Sequence, residues 1–193
     1  NGAKATVMKF NGQAWVLVGT AGISEYEIHQ TSIAIGPDGT PYVSYGIYSN
    51  MDGGHSYVKK FNGVTWENVG ENFSEENGFF QSIKFGPDGL LYVVFSANTD
   101  GKANVRKFGN NGWEIVGTVG ISPSSTIYNL ISFKPDGQIF ICFRNDIDGK
   151  ILTNIDKIGE DLIIKTNAGL ILQILINLID NAIYWLGKSD IPD

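Results

Sequence analysis

The sequence predicts a mainly β chain of tandem four-stranded antiparallel sheets ending in an α-helix, and three observations predict it. One marker, Lys-Phe followed by Asn-Gly, Trp and Val-Gly, occurs three times. A second marker, Pro-Asp-Gly, occurs three times in phase with the first. After residue 149 both stop, and an Ile- and Leu-rich stretch takes over.

The first marker reads Lys9-Phe10-Asn11-Gly12, Trp15, Val18-Gly19, then Lys60-Phe61-Asn62-Gly63, Trp66, Val69-Gly70. Its third copy is Lys107-Phe108, Asn111-Gly112-Trp113, Val116-Gly117. The second reads Gly36-Pro37-Asp38-Gly39, Gly86-Pro87-Asp88-Gly89 and Lys134-Pro135-Asp136-Gly137. Both recur every 47 to 51 residues. Two independent markers on one period identify a structural repeat.

Each repeat resolves into four short strands. The first is Ser32-Ile33-Ala34-Ile35, matched by Ser82-Ile83-Lys84-Phe85 and Ile131-Ser132-Phe133. Apolar residues alternate with small or polar ones there, which is strand periodicity. Pro-Asp-Gly then makes a turn, with Pro presetting φ and Gly accepting positive φ. The second strand is Tyr42-Val43-Ser44-Tyr45, matched by Tyr92-Val93-Val94-Phe95 and Phe140-Ile141-Cys142-Phe143. It is apolar on both faces, as a strand between packed sheets must be. The third ends in Val7-Met8-Lys9-Phe10, Val58-Lys59-Lys60-Phe61 or Val105-Arg106-Lys107-Phe108. An Asn-Gly hairpin turn follows, and the fourth strand carries the Trp and closes at Val-Gly.

Four short antiparallel strands per unit of roughly 40 to 50 residues is the pattern of a propeller blade. The expectation is therefore a partial β-propeller of about three blades over residues 1–149. The chain enters mid-blade: residues 4–19 supply a third and fourth strand, and 130–144 a first and second. A ring closed by one copy is not expected, so the chain is a fragment or copies self-associate to complete a ring, since an open blade edge exposes unpaired backbone. The repeat over about 3–145 resembles β-propeller-like repeats of bacterial surface and sensor proteins. That resemblance implies a ligand-binding, sensing or protein-interaction module and favours an extracytoplasmic or cell-surface setting.

Residues 150–193 form a segment of different character. Lys150 to Thr166 allows two strands with a turn at Gly159-Glu160-Asp161. Ala168 to Leu186 reads as one long helix. Gln173, Asn177, Asp180, Asn181 and Tyr184 make its polar stripe, Asn167 its N-cap and Gly187 its C-cap. A membrane-spanning helix is the rival reading, and Asp180 with two Asn residues argues against it because polar groups are costly in lipid. Gln173-Ile174-Leu175-Ile176-Asn177-Leu178-Ile179-Asp180-Asn181-Ala182 resembles the N-box of the sensor histidine kinase ATPase family, over about 150–187. The resemblance implies that Asn177 and Asn181 face a nucleotide and that Asn181 helps hold Mg²⁺ of a bound Mg-ATP. The family's Asp-x-Gly-x-Gly segment does not follow before Asp193, and no phospho-acceptor His stands upstream, His29 and His55 being placed in loops. The chain alone is thus expected neither to bind ATP usefully nor to transfer phosphate.

The remaining residues carry little chemistry. Fourteen Lys and Arg against 20 Asp and Glu give a net charge of −6, which excludes a sequence-independent nucleic-acid binder and a polybasic lipid contact. Cys142, the lone cysteine, stands in an apolar run and reads as an inert core thiol. The turns Asn50-Met51-Asp52-Gly53, Asn98-Thr99-Asp100-Gly101 and Asp146-Ile147-Asp148-Gly149 lack the distal Glu of a Ca²⁺ loop and read as hairpin turns. Glu75-Glu76 reads as a solvated loop. No catalytic set and no metal site are expected, and no cofactor. Trp15, Trp66 and Trp113 are the ligand-binding candidates, as an aromatic platform. Their equivalent positions also fit packing between blades. The first reading is a non-enzymatic binding or sensing module, with a histidine kinase fragment and a structural surface repeat as alternatives.

Overall fold

In the computed structural model the two markers form the turns of regular antiparallel sheets. The structure describes residues 2–47, 55–74, 78–97, 99–147, 150–157 and 166–167. The strands are β1 (Met8–Phe10), β2 (Trp15–Leu17), β3 (Ile28–Ile35), β4 (Pro41–Ile47), β5 (Ser56–Phe61), β6 (Trp66–Asn68) and β7 (Gly78–Phe85). They continue with β8 (Leu91–Ala97), β9 (Ala103–Gly109), β10 (Gly112–Ile115), β11 (Thr126–Phe133), β12 (Ile139–Ile147), β13 (Lys150–Lys157) and β14 (Thr166–Asn167). β1 and β2 form a two-stranded first sheet, and β3–β6, β7–β10 and β11–β14 form the four-stranded second, third and fourth sheets. Every pairing is between consecutive strands and antiparallel. The fold is mainly β; among the described residues there is no helix, and no strand pairing joins the first sheet to the fourth.

The turn chemistry is the one the markers predict. At the first Pro-Asp-Gly, the Gly39 N–H donates to the Gly36 carbonyl at 2.9 Å, and Asp38 Oδ1 accepts the Thr40 N–H at 3.0 Å. Gly39 has φ 83°, a conformation that costs a residue with a Cβ atom. The same turn recurs at Gly86–Leu90 and Lys134–Gln138. In the Asn-Gly turns, Asn11 Oδ1 accepts the N–H groups of Gln13 and Ala14, and Asn62 Oδ1 those of Val64 and Thr65. Asp100 works the same way, accepting the Lys102 N–H at 2.9 Å.

The first strands of the four-stranded sheets lie side by side, β7 against β3 and β11 against β7. Polar side chains tie them across the gap. Gln30 Oε1 accepts the Phe80 N–H at 2.6 Å, Gln81 Nε2 donates to the Gln30 carbonyl at 2.9 Å, and Lys84 Nζ donates to Ser132 Oγ at 3.0 Å. Each first strand bulges at the same place, between Ile28 and Thr31, Phe79 and Ser82, Ile127 and Leu130. The bulges put Phe80 and Tyr128 at φ 53° and 57°, with their rings edge-on at 5.5 Å.

These bulges explain where the sequence reading starts its strands too late. Alternation is legible from Ser32 and Ser82 onward, but the strands begin at Ile28 and Gly78, because the bulge interrupts the period of two. His29, expected in a loop, therefore lies in β3. The fourth sheet runs past residue 149: β13 pairs with β12 from Ile147↔Lys150 to Phe140↔Lys157. Asn167, expected as a helix cap, pairs with Leu152 as part of β14. The expected helix over 168–186 and its Asn177 and Asn181, the Asn50–Gly53 turn and Glu75-Glu76 lie outside the described residues.

Three apolar clusters fill the spaces between successive sheets, centred on Val43 and Tyr45, on Val93 and Phe95, and on Ile141 and Phe143. Cys142 is a buried free thiol on β12, and its burial pushes its pKa up to about 11. Iodoacetamide at pH 8 is therefore expected to leave Cys142 unmodified in the native protein and to alkylate it fully in denaturant, read by intact mass. Rapid labelling of the folded chain would contradict its burial.

Candidate functional site in the clefts between sheets

The Lys-Phe, Trp and Val-Gly residues of the repeat meet across the boundary between sheets, not within one. The Trp66 Nε1–H, on the second sheet, donates to the Val18 carbonyl of the first at 2.8 Å. The Trp113 Nε1–H, on the third, donates to the Val69 carbonyl of the second at 3.2 Å. The Phe of the same unit lies on the glycine that follows that valine. A Cβ on Gly19 would come within 2.9 Å of Phe61, and one on Gly70 within 2.6 Å of Phe108. Phe and Trp thus clasp the Val-Gly of the preceding unit, and glycine is needed there both for its positive φ and for this close approach.

Two clefts open beside these clasps, at corresponding places on successive junctions. The first has a volume of about 560 Å³ and the second about 260 Å³. Lys9, Val18, Ile35, Gly39, Pro41 and Phe61 line the first; their counterparts one repeat on, Lys60, Val69, Phe85, Gly89, Leu91 and Phe108, line the second. Tyr42 narrows the second cleft and stands edge-on to Phe85 at 5.0 Å. The first cleft is wider because the first sheet lacks the two strands that would carry a counterpart of Tyr42.

Each cleft pairs apolar walls with a few polar groups. Asp38, Thr40 and Asn62 join Lys9 in the first, and Asn68 joins Lys60 in the second. The Thr40 amide and then its hydroxyl donate to Asp38, which holds that carboxyl below the usual carboxylate range. Lys60 reaches Glu67 at 3.2 Å. At the next junction Tyr92, the counterpart of Tyr42, donates to Asp88 Oδ2 at 2.8 Å. Burial first, and then this bond, push the Tyr92 phenol up to about 12. Small-molecule sites commonly combine an apolar pocket of roughly 300–1,000 Å³ with a few placed polar groups. Among the described residues no group of three His, Cys, Asp or Glu could hold a metal, and no helix is long and apolar enough to cross a membrane.

The structure places the three candidate tryptophans at the edge of this machinery and not in one platform. Trp66 and Trp113 are half-buried clasp residues, each on its own junction, and Trp15 is exposed. None of the three lines either cleft. A third repeated feature escaped the sequence reading: Ile23-Ser24, Phe73-Ser74 and Ile121-Ser122. Each apolar residue donates its N–H to the start of the third strand, at Ala5, Ser56 and Ala103. Each buried serine accepts an N–H from the same residue. The signal was present as a second 48-to-50-residue periodicity, but two residues of ordinary type do not stand out beside Trp and Gly.

No protein-family model matches the sequence, and no curated protein matches it. Solved structures share its fold. A fucose lectin from Kordia zhangzhouensis, in complex with methyl-fucoside, is 12% identical with a TM-score of 0.52, over 72% of this chain and 100% of the lectin's. An endo-arabinase from Bacteroides thetaiotaomicron VPI-5482 is 14% identical with a TM-score of 0.52, over 83% of this chain and 66% of its own. A protein of unknown function from Dyadobacter fermentans DSM 18053 is 12% identical with a TM-score of 0.51, over 78% of this chain and 47% of its own. At these identities the likeness concerns the fold, and the chain spans only part of the second and third of these proteins.

Proposed function

We propose that the chain is a non-enzymatic carbohydrate-binding module, built as a partial propeller, with sugar rings held in the clefts between its sheets. The observation that carries this reading is the recurrence of one cleft at two successive junctions, with the same lysine, phenylalanine and Pro-Asp-Gly turn at each. A sugar presents an apolar face of C–H groups and a rim of hydroxyls. Phe61 or Phe108 offers the first a ring, and Lys9 or Lys60, with Asn62 or Asn68, offers the second hydrogen bonds. The lectin that shares the fold binds a methyl-glycoside, which agrees with this reading. No cofactor is invoked, and an extracytoplasmic or surface setting goes with it.

Saturation-transfer NMR against methyl-fucoside and the methyl glycosides of galactose, mannose, xylose and arabinose tests the proposal. Saturable binding of at least one is expected, weakened about tenfold or more by Lys9→Met with Lys60→Met, a loss of one or two hydrogen bonds to charged groups. These substitutions keep the methylene stems that cover apolar surface. Binding of none of the five by the folded protein, or binding indifferent to both lysines, rejects the cleft as a sugar site.

A further inference from the structure

We propose that Tyr42 sets the specificity of the second cleft, its phenol hydrogen-bonding one hydroxyl of the bound sugar, and that Thr40 keeps that phenol free to do so. This deepens the sugar-binding reading above and rests on it.

The inference comes from a difference between two turns that are otherwise alike. Tyr42 and Tyr92 hold the same place in successive units, and their rings are seated in the same way. A Cβ on Gly36 would come within 3.1 Å of Tyr42, and one on Gly86 within 2.9 Å of Tyr92. Each ring stands edge-on to a phenylalanine of the next sheet, Tyr42 to Phe85 at 5.0 Å and Tyr92 to Phe133 at 4.9 Å. Each follows a Pro-Asp-Gly turn whose aspartate accepts the N–H two residues on, Asp38 Oδ1 from Thr40 and Asp88 Oδ1 from Leu90.

The two turns part at the second carboxylate oxygen. Asp88 Oδ2 accepts the Tyr92 hydroxyl at 2.8 Å. Asp38 Oδ2 accepts the Thr40 hydroxyl at 2.9 Å instead. Leu90 has no hydroxyl, so at the later turn the tyrosine takes the oxygen. Thr40 has one, and it stands two residues from Asp38 where Tyr42 stands four. Among the described residues the Tyr42 hydroxyl has no hydrogen-bond partner, and Tyr42 lines the second cleft. In the third unit Gln138 and Phe140 hold the two positions, so that unit has no phenol to tie back or to present.

A phenol both donates and accepts, and this one joins a cleft whose other polar groups are Lys60 and Asn68. The apolar walls, Phe85, Leu91 and Phe108, meet the C–H face of any sugar alike. A site that hydrogen-bonds a ligand hydroxyl rejects the analogue lacking it, because its own polar group is then left unpaired. Tyr42 therefore discriminates among sugars by the hydroxyl set before it, and Thr40 is a positioning residue that acts through Tyr42.

NMR titration with the tightest-binding of the methyl glycosides tests this, in a Lys9→Met chain so that the second cleft dominates. Tyr42→Phe keeps the ring against Phe85 and should weaken binding about fivefold, the weight of one neutral hydrogen bond. Thr40→Leu copies the later turn, frees Asp38 Oδ2 for Tyr42 and should weaken binding by the same factor. Thr40→Ser retains a hydroxyl and should bind as the parent does. Thr40 also lines the first cleft, so the double variant decides: Thr40→Leu with Tyr42→Phe should bind no more weakly than Tyr42→Phe alone. One monodeoxy form of the glycoside should bind the parent about fivefold more weakly than the full sugar, and the Tyr42→Phe chain equally well. With all variants folded by circular dichroism, three results would each overturn the proposal and leave the cleft a sugar site. These are unchanged binding by Tyr42→Phe, additive losses in the double variant, and equal losses in Thr40→Ser and Thr40→Leu. A folded Lys9→Met chain that binds none of the glycosides overturns the sugar reading of this cleft, and this inference with it.

Discussion

Phe73→Ala is expected to lower the unfolding free energy by about 3–5 kcal/mol, among the larger losses from a single truncation in the described core. Phe73 is completely buried and follows the Val69-Gly70 pair on the way out of the second sheet. Its ring meets Phe95 of β8 edge-on at 5.3 Å and Trp113 of β10 at 5.7 Å, so it belongs by sequence to one unit and by packing to the next. Truncation leaves a cavity between two sheets that are held apart by their own strands and cannot close on it, which is the condition for the upper part of that range. Urea denaturation measures the loss, with Val64→Ala as the control at a 79% exposed site. A loss no larger than the control's would take Phe73 out of the core.

Gly70→Ala is also expected to be strongly damaging, and its size separates two causes. The positive φ of 64° costs any L-residue about 1–2 kcal/mol. The added methyl also meets the Phe108 ring at 2.6 Å, which forces the ring off its seat and adds about 1–3 kcal/mol of overpacking. Gly89→Ala isolates the first cause, since Gly89 has φ 76°, near that of Gly70, and nothing within 4 Å of the new atom. The two variants should therefore differ by the second cause alone. Equal losses in the two would mean that the Phe–Gly contact carries no energy and that the clasp is a coincidence of spacing.

Most of the fold was legible because its turns are written in residues of restricted conformation. Pro-Asp-Gly and Asn-Gly admit few backbone shapes, and they recur on one period, so strand order and pairing followed from them. The junctions were less legible. A reading of Trp as either ligand platform or packing residue cannot see that the Nε1–H of Trp66 finds a carbonyl 48 positions earlier. The clefts were missed for the same reason: Lys60 and Phe108 are far apart in sequence, and only the stacking of sheets sets them around one space. The bulges at Phe80 and Tyr128 hid because neither residue type advertises a positive φ.

Because each clasp reaches back by one unit and no further, the array is modular in a strict sense. Removing a stretch of one period, cut at matching points, brings the Phe and Trp of the later unit onto the Val-Gly of the earlier one and leaves every surviving grip complete. Copy number can then drift by recombination at little energetic cost, as in other linear arrays whose stability sums over nearest neighbours.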